Sequence, residues 1–194
     1  VGLHTGDPMW ANWNMGGAWL ATHIWEHDTF TLDKNFLREY FPVLKGAAEF
    51  CLGWLVPLSD FTPQTSSISP QTSAIDYLIT APATSPENSF VTPDGYHGRT
   101  CFGGFADIAM IRECLSDARD AALALGESCS VLGDVVAEVN AALTRLHPYK
   151  IGHKGNLQEW FYDWEDEDPH HRHQSHLFGI YPGHHLDDGT NTKE

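Results

Sequence analysis

Apolar side chains recur at intervals of three and four over several stretches of the chain, and each such stretch predicts a helix. From Met15 to Phe30, Leu20, Ile24 and His27 fall at i, i+4 and i+7, with Trp19 one position ahead. Gly16 and Gly17 open this stretch; each would cost about 1 kcal/mol in a helix interior, which predicts a place of close backbone approach. Asp33 to Val56 repeats the pattern through Phe50, Leu52, Trp54 and Leu55. Asp33 is placed to cap it, and Pro42 is expected to break or kink it into a short helix and a longer one. Between Ser59 and Asp94 no period is sustained, and the many Pro, Ser and Thr predict a long loop or a set of short strands. The helical period returns from Gly103 to Gly126, where Phe105, Ile108, Ile111, Leu115, Ala118, Ala122 and Leu125 share a face and Gly126 is the stop. Ser130 is a cap for a further helix with Leu132, Val135, Val136, Val139, Leu143 and Leu146 on one side, ended by Pro148. These last two helices and their short glycine-containing link form an αα-hairpin. The pattern as a whole predicts an all-α fold, a toroid of helical hairpins with long motif-bearing loops and its site at one rim.

Composition narrows the partners. The chain has 194 residues, 42% of them hydrophobic, with seven Trp, ten Phe and six Tyr, enough for one domain with a packed core and too apolar for disorder. Its 26 acidic against 11 basic residues give a formal charge of -15, which argues against a nucleic-acid partner and suits an uncharged substrate such as a glycan. No apolar run approaches the roughly 20 residues of a membrane span, so no membrane partner is expected. Val1 opens without an initiator Met or a signal peptide, and the chain is expected to be an internal piece of a longer protein. Cys51, Cys101, Cys114 and Cys129 form no Cys-x-x-Cys pair, which argues against a zinc knuckle; they are either disulfide-bonded in an oxidising compartment or buried thiols.

Three segments carry candidate chemistry. In Thr80 to Phe90, Pro82 and Pro86 exclude a helix interior and leave a shaped loop with Glu87 directly after a proline. A carboxylate in so stiff a segment is either a general acid held in one position or a solvated turn residue. Further on, an acidic run of Asp163 and Glu165 to Asp168, expected to be a solvated loop, precedes His170, His171, Arg172, His173 and His176. Arg172 puts a fixed charge where a cation would sit, and its planar fork suits sugar hydroxyls or a carboxylate, so no metal or other cofactor is expected there. The third segment, His23-Ile24-Trp25-Glu26-His27, fits the H-x-x-E-H pattern of zinc metallopeptidases, although no third ligand stands in a recognisable peptidase context.

Taken in order, the block from Trp13 to His27, the tetrad Ser85-Pro86-Glu87-Asn88, and the block from Leu157 to Gly183 with its Leu-Gln-Glu-Trp and His-His-Arg-His-Gln-Ser-His runs resemble the helical catalytic domain of glycoside hydrolase family 95, the 1,2-α-L-fucosidases. The resemblance runs from about Gly6 to Gly183. It departs at Trp13-Asn14-Met15, where the family has Trp-Pro-Met, and in the Ser/Thr/Gln-rich passage from Thr62 to Thr72. It implies an incomplete (α/α)6 barrel from a secreted inverting enzyme acting on terminal fucose of oligosaccharides or plant wall polysaccharides. By the same resemblance Glu87 is the general acid, and Trp13, Glu159, Trp160, Arg172 and His173 line the fucose pocket. Glu159 would accept hydroxyl bonds or orient Arg172, while Trp13 and Trp160 either offer an apolar face to the sugar or belong to the core. The family carries a similar His-Leu-Trp-Glu-His, which accounts for the third segment without a metal. Its water-activating Asn-x-Asn pair and downstream Asp have no counterpart here; Asn12-Trp13-Asn14 lies in a different block and does not take over that role. A zinc metallopeptidase and a non-catalytic sugar-binding or structural helical module are the alternatives.

Overall fold

The structure is a computed structural model that describes residues 6–61, 75–126 and 130–186. The passage from Thr62 to Thr72 and Cys129 lie outside those residues, and the side chains of Ser130 and Leu132 are outside the described ones. Helix α1 is a single turn, Pro8–Ala11, capped by Asp7, which accepts the Met9 N–H at 3.2 Å. Helix α2 spans Gly16–Thr31 and closes on Leu32 in the left-handed region. Asp33 caps α3, Lys34–Trp54, by accepting the N–H groups of Asn35 and Phe36 at 3.0 and 3.1 Å. Helix α4 is Phe105–Leu125, stopped by Gly126 at φ 63, and α5 is Ser130–Leu143.

Helix α4 is the axis of the core. It packs against α2, α3, α5 and a 3-10 turn at Ser175–Gly179. Ile108, Ile111, Leu115, Ala118 and Ala122 are buried as the period predicts, and Ala106, Ala109 and Ala121 are buried with them, so the helix is buried over most of its circumference, with Asp107, Glu113 and Asp117 among the enclosed side chains. Alanine there lets neighbours approach from three sides, while each buried Leu or Ile contributes about 1.5–3 kcal/mol. Leu37, Leu44, Ala48 and Cys51 of α3, Ala18 and Ala21 of α2, and Val139 of α5 complete the cluster.

Several expectations need correcting. Pro42 does not divide its helix: α3 runs through it, because Leu37, Phe41, Leu44, Ala48 and Cys51 hold one continuous buried face on either side of the lost N–H. Gly16 and Gly17 mark no close backbone approach. A Cβ at Gly17 would meet nothing within 4 Å, and one at Gly16 would touch only the Trp13 ring at 3.6 Å. Leu20, expected on the buried face of α2, is 69% exposed. It borders an open apolar channel between α2 and α3 that Ala18, Ile24, Val43, Ala47 and Phe50 also line.

The fold is also not purely helical. Strand β1 (Leu55–Pro57) pairs antiparallel with β2 (Leu78–Thr80), with Val56 opposite Ile79. Strand β3 (Phe90–Val91) lies between β4 (His97–Gly98) and β5 (Glu165–Asp166). These two small sheets hold both ends of the segment that carries Glu87. Cys51, Cys101 and Cys114 are thiols.

Candidate active site

The segment from Ala81 to Ser89 leaves β2 and enters β3. Ala83 and Cys101 exchange both backbone bonds at 2.8 and 2.9 Å, and the Asn88 N–H reaches back to the Ser85 carbonyl at 3.2 Å. The tight turn between them puts Glu87 at φ 56, in the left-handed region, at a cost of about 1–2 kcal/mol for a residue with a Cβ. The Glu87 N–H points to the carbonyl of Met9 at 3.4 Å, which ties the turn to α1. On the other side His171 Nε2 lies 3.3 Å from the carbonyl of Pro86.

The Glu87 carboxylate accepts from the Arg172 guanidinium and sits 3.1 Å from His173 Nε2. Arg172 Nε lies 3.2 Å from that same ring nitrogen, so the three groups form one cluster. Partial burial pushes the Glu87 carboxyl up, but the hydrogen bonds and charges of Arg172 and His173 outweigh it and hold it below its ordinary value. The resting group is therefore ionised. It stands on a cleft of about 510 Å³ whose polar rim is Glu87, Arg172, His173 and Gln174 and whose wall is aromatic. Trp13 meets Trp19 edge to face at 6.2 Å, and Trp19 meets Phe178 in the same way at 5.5 Å. Trp10 and Tyr181 flank them. Apolar rings opposite charged donors and acceptors make a surface suited to a sugar, which has both a C–H face and hydroxyl edges.

Beneath the turn lies a buried polar network. Glu159 Oε1 accepts from the Ser85 hydroxyl and from Asn88 Nδ2 at 3.0 Å. Glu159 Oε2 is 3.3 Å from His176 Nδ1, an ion-pair distance without the alignment of a hydrogen bond. Burial pushes the Glu159 carboxyl up, but contact with His176 and the bonds from Ser85 and Asn88 outweigh it, leaving it below its ordinary value. Asn88 Nδ2 also reaches Asp166 Oδ1 at 3.3 Å, and the same oxygen accepts the Trp160 indole N–H at 3.0 Å.

Of the residues singled out in the sequence, Trp13, Glu87, Arg172 and His173 meet on the cleft. Glu159 and Trp160 lie below it. Trp160 is 2% exposed and packs on Phe90 at 5.0 Å, so it offers no face to a sugar. Glu159 contacts Ser85, Asn88 and His176, not Arg172, whose partner is Glu87. The acidic run is solvated as expected at Asp163, Glu165, Glu167 and Asp168, although Asp163 accepts from the His153 backbone at 2.7 Å and Glu165 pairs with Lys154 and His153; the half-buried Asp166 joins the network. On α2, His23 faces Glu26 at 3.6 Å whereas His27 stacks on Phe36 at 3.8 Å, so the two rings are engaged separately. Reading the sequence missed Trp10, Trp19 and Gln174 as cleft residues, and Ser85 and Asn88 as anchors. The last two were within reach, since they flank Glu87 in the tetrad.

Residues 2–194 match the Glycosyl hydrolase family 95 catalytic domain, and the chain belongs to that family. It is 41% identical to Alpha-L-fucosidase 2 of Arabidopsis thaliana over 180 residues, 92% of this chain and 19% of that protein. It is 30% identical to Probable alpha-fucosidase A of Aspergillus niger over 177 residues, 90% of this chain and 20% of the relative. The chain thus spans about a fifth of the length of these curated relatives.

Proposed function

We propose that this chain is the acid-bearing part of the catalytic domain of a secreted α-L-fucosidase, which hydrolyses terminal α-L-fucosyl residues of oligosaccharides or polysaccharides with inversion. The observation that carries the reading is the Glu87–Arg172–His173 constellation on the rim of the aromatic cleft. Glu87 delivers its proton to the glycosidic oxygen as the bond to the fucose anomeric carbon breaks. A water attacks that carbon from the opposite face, activated by a group elsewhere in the domain. Arg172 and His173 grip sugar hydroxyls and Trp13 receives the apolar face. When a hydroxyl takes over the Arg172 fork, Glu87 loses a partner that holds its pKa down, and its hold on a proton strengthens. The helices are part of an (α/α)6 barrel, a reading supported by the uncovered apolar channel between α2 and α3.

The test uses the full-length protein that carries this chain. Glu87→Gln is expected to lower turnover of a natural fucosylated glycan by about 10²- to 10⁴-fold with binding largely kept. A nitrophenyl fucoside, whose leaving group needs less protonation, partly escapes. Equal loss on both substrates, or no loss on either, removes Glu87 as the acid.

A further inference from the structure

We infer that Glu159 is the positioning residue of Glu87: its buried carboxylate grips the residues on both sides of the Pro86–Glu87 pair and so sets where the acid stands in the cleft. The inference rests on the assignment of Glu87 as the acid. A single oxygen, Glu159 Oε1, accepts from Ser85, two residues before Glu87, and from Asn88, one residue after it. Between these two anchor points the chain passes through the left-handed conformation of Glu87, which a free turn would leave. The anchors are shielded: Ser85, Asn88 and Glu159 are 5%, 3% and 7% exposed, so water does not compete for their bonds. Charge-assisted bonds are strongest in such surroundings.

The other oxygen faces His176, four residues after Arg172 on the segment that supplies the ion-pair partner. One carboxylate therefore stands between the acid-bearing turn and the arginine-bearing segment. It is itself fixed to the core, because its backbone carbonyl accepts the Phe105 N–H at 3.1 Å, at the first turn of α4. A movement of Glu159 would carry Glu87 with it, and misplacing a reacting group by about 1 Å costs on the order of 10²-fold in rate.

The experiment compares the full-length protein with its Glu159→Gln and Ser85→Ala variants in two readouts. Amide hydrogen exchange over residues 84–90 is expected to accelerate in Glu159→Gln while α4 keeps its protection. Turnover of the natural glycan is expected to fall by about 10- to 100-fold, more than turnover of the nitrophenyl fucoside. Ser85→Ala, which removes one bond and leaves the charge, reproduces a smaller loss of the same kind, and the double variant loses little beyond Glu159→Gln alone. Unchanged exchange in the turn overturns the inference. So does an equal fall on both substrates, which marks a general loss of folded protein, or a raised KM with kcat intact, which marks a direct sugar contact. If the unaltered protein hydrolyses neither fucoside, the functional reading falls, and the exchange comparison alone decides whether Glu159 clamps the turn.

Discussion

Arg172 helps hold the Glu87 carboxyl below its ordinary value, and the sign of that effect determines pH behaviour. A general acid works only while protonated, so kcat/KM declines as pH rises through its free-enzyme pKa. In the acid role proposed for Glu87, Arg172 lowers that pKa and thereby draws the alkaline limb toward acid. In the full-length protein Arg172→Ala removes both its hydrogen bond and its charge, leaving His173 alone to oppose burial, and the alkaline limb of kcat/KM is expected to move to higher pH. Arg172→Lys keeps the charge and loses the fork, so it shifts the limb less and still raises KM. A limb that stays in place in the alanine variant would show that the ion pair does not govern the acid. At this scale the sequence was informative where chemistry sits in a motif: Glu87 beside Pro86, and Arg172 beside His173. It misled where a side chain's role depends on depth. Nothing local in Leu157-Gln158-Glu159-Trp160 tells that both Glu159 and Trp160 turn inward, because their partners, Ser85, Asn88 and Phe90, come from some 70 residues away.

Among the elements, the same substitution has opposite signs according to what surrounds the glycine. A Cβ at Gly46 in α3 would meet nothing within 4 Å, so Gly46→Ala is expected to raise stability by about 1 kcal/mol through helix propensity. At Gly98 in β4 a Cβ would fall inside the Phe90 ring across the strand pair, so Gly98→Ala is expected to destabilise by about 1–3 kcal/mol. Denaturant titration of the two variants checks both, and a stabilising Gly98→Ala would mean that the β3–β4 pair is not packed as described. The long helices were legible because periods such as that of Ile108, Ile111 and Leu115 are sustained over several turns. The Pro42 break was a false signal, since burial on both sides of the proline outweighs one lost hydrogen bond. The two- and three-residue strands are too short to carry a period at all, and only their partners define them.

At the scale of the whole molecule, two buried acids of α4, Asp117 and Asp107, make stability fall with rising pH. Asp117 is pushed up to about 9 by burial first and then by Glu113 and other neighbours, and Asp107 to about 7 by burial against the opposing bond from Thr80. Both would ionise near pH 3.9 in the unfolded chain. The stability they allow is therefore full below about pH 4 and is lost as pH rises through the folded values. Asp117→Asn removes its share, so the denaturation midpoint is expected to exceed that of the parent at about pH 8 and to match it near pH 4. The uncovered channel of Leu20, Val43 and Phe50 predicts self-association of the 194-residue chain on its own, detectable by sedimentation and reduced by Leu20→Lys. That isolated chain is also expected to release no fucose, since the groups resembling the family's water activators are missing from it; release abolished by Glu87→Gln would require a base within residues 1–194. The Glu87 turn has one more consequence, for the order in which the molecule forms. Its contacts join residues 71, 74 and 85 positions apart, whereas α2 meets α3 across a two-residue link. Closing a long loop gains nothing until its far contacts form, so local helix pairs precede distant ones. Refolding is accordingly expected to pass through a helical ensemble in which Glu87 has no defined place. Far-ultraviolet helical signal should return ahead of the change in tryptophan emission that accompanies Trp160 packing on Phe90 below the finished turn.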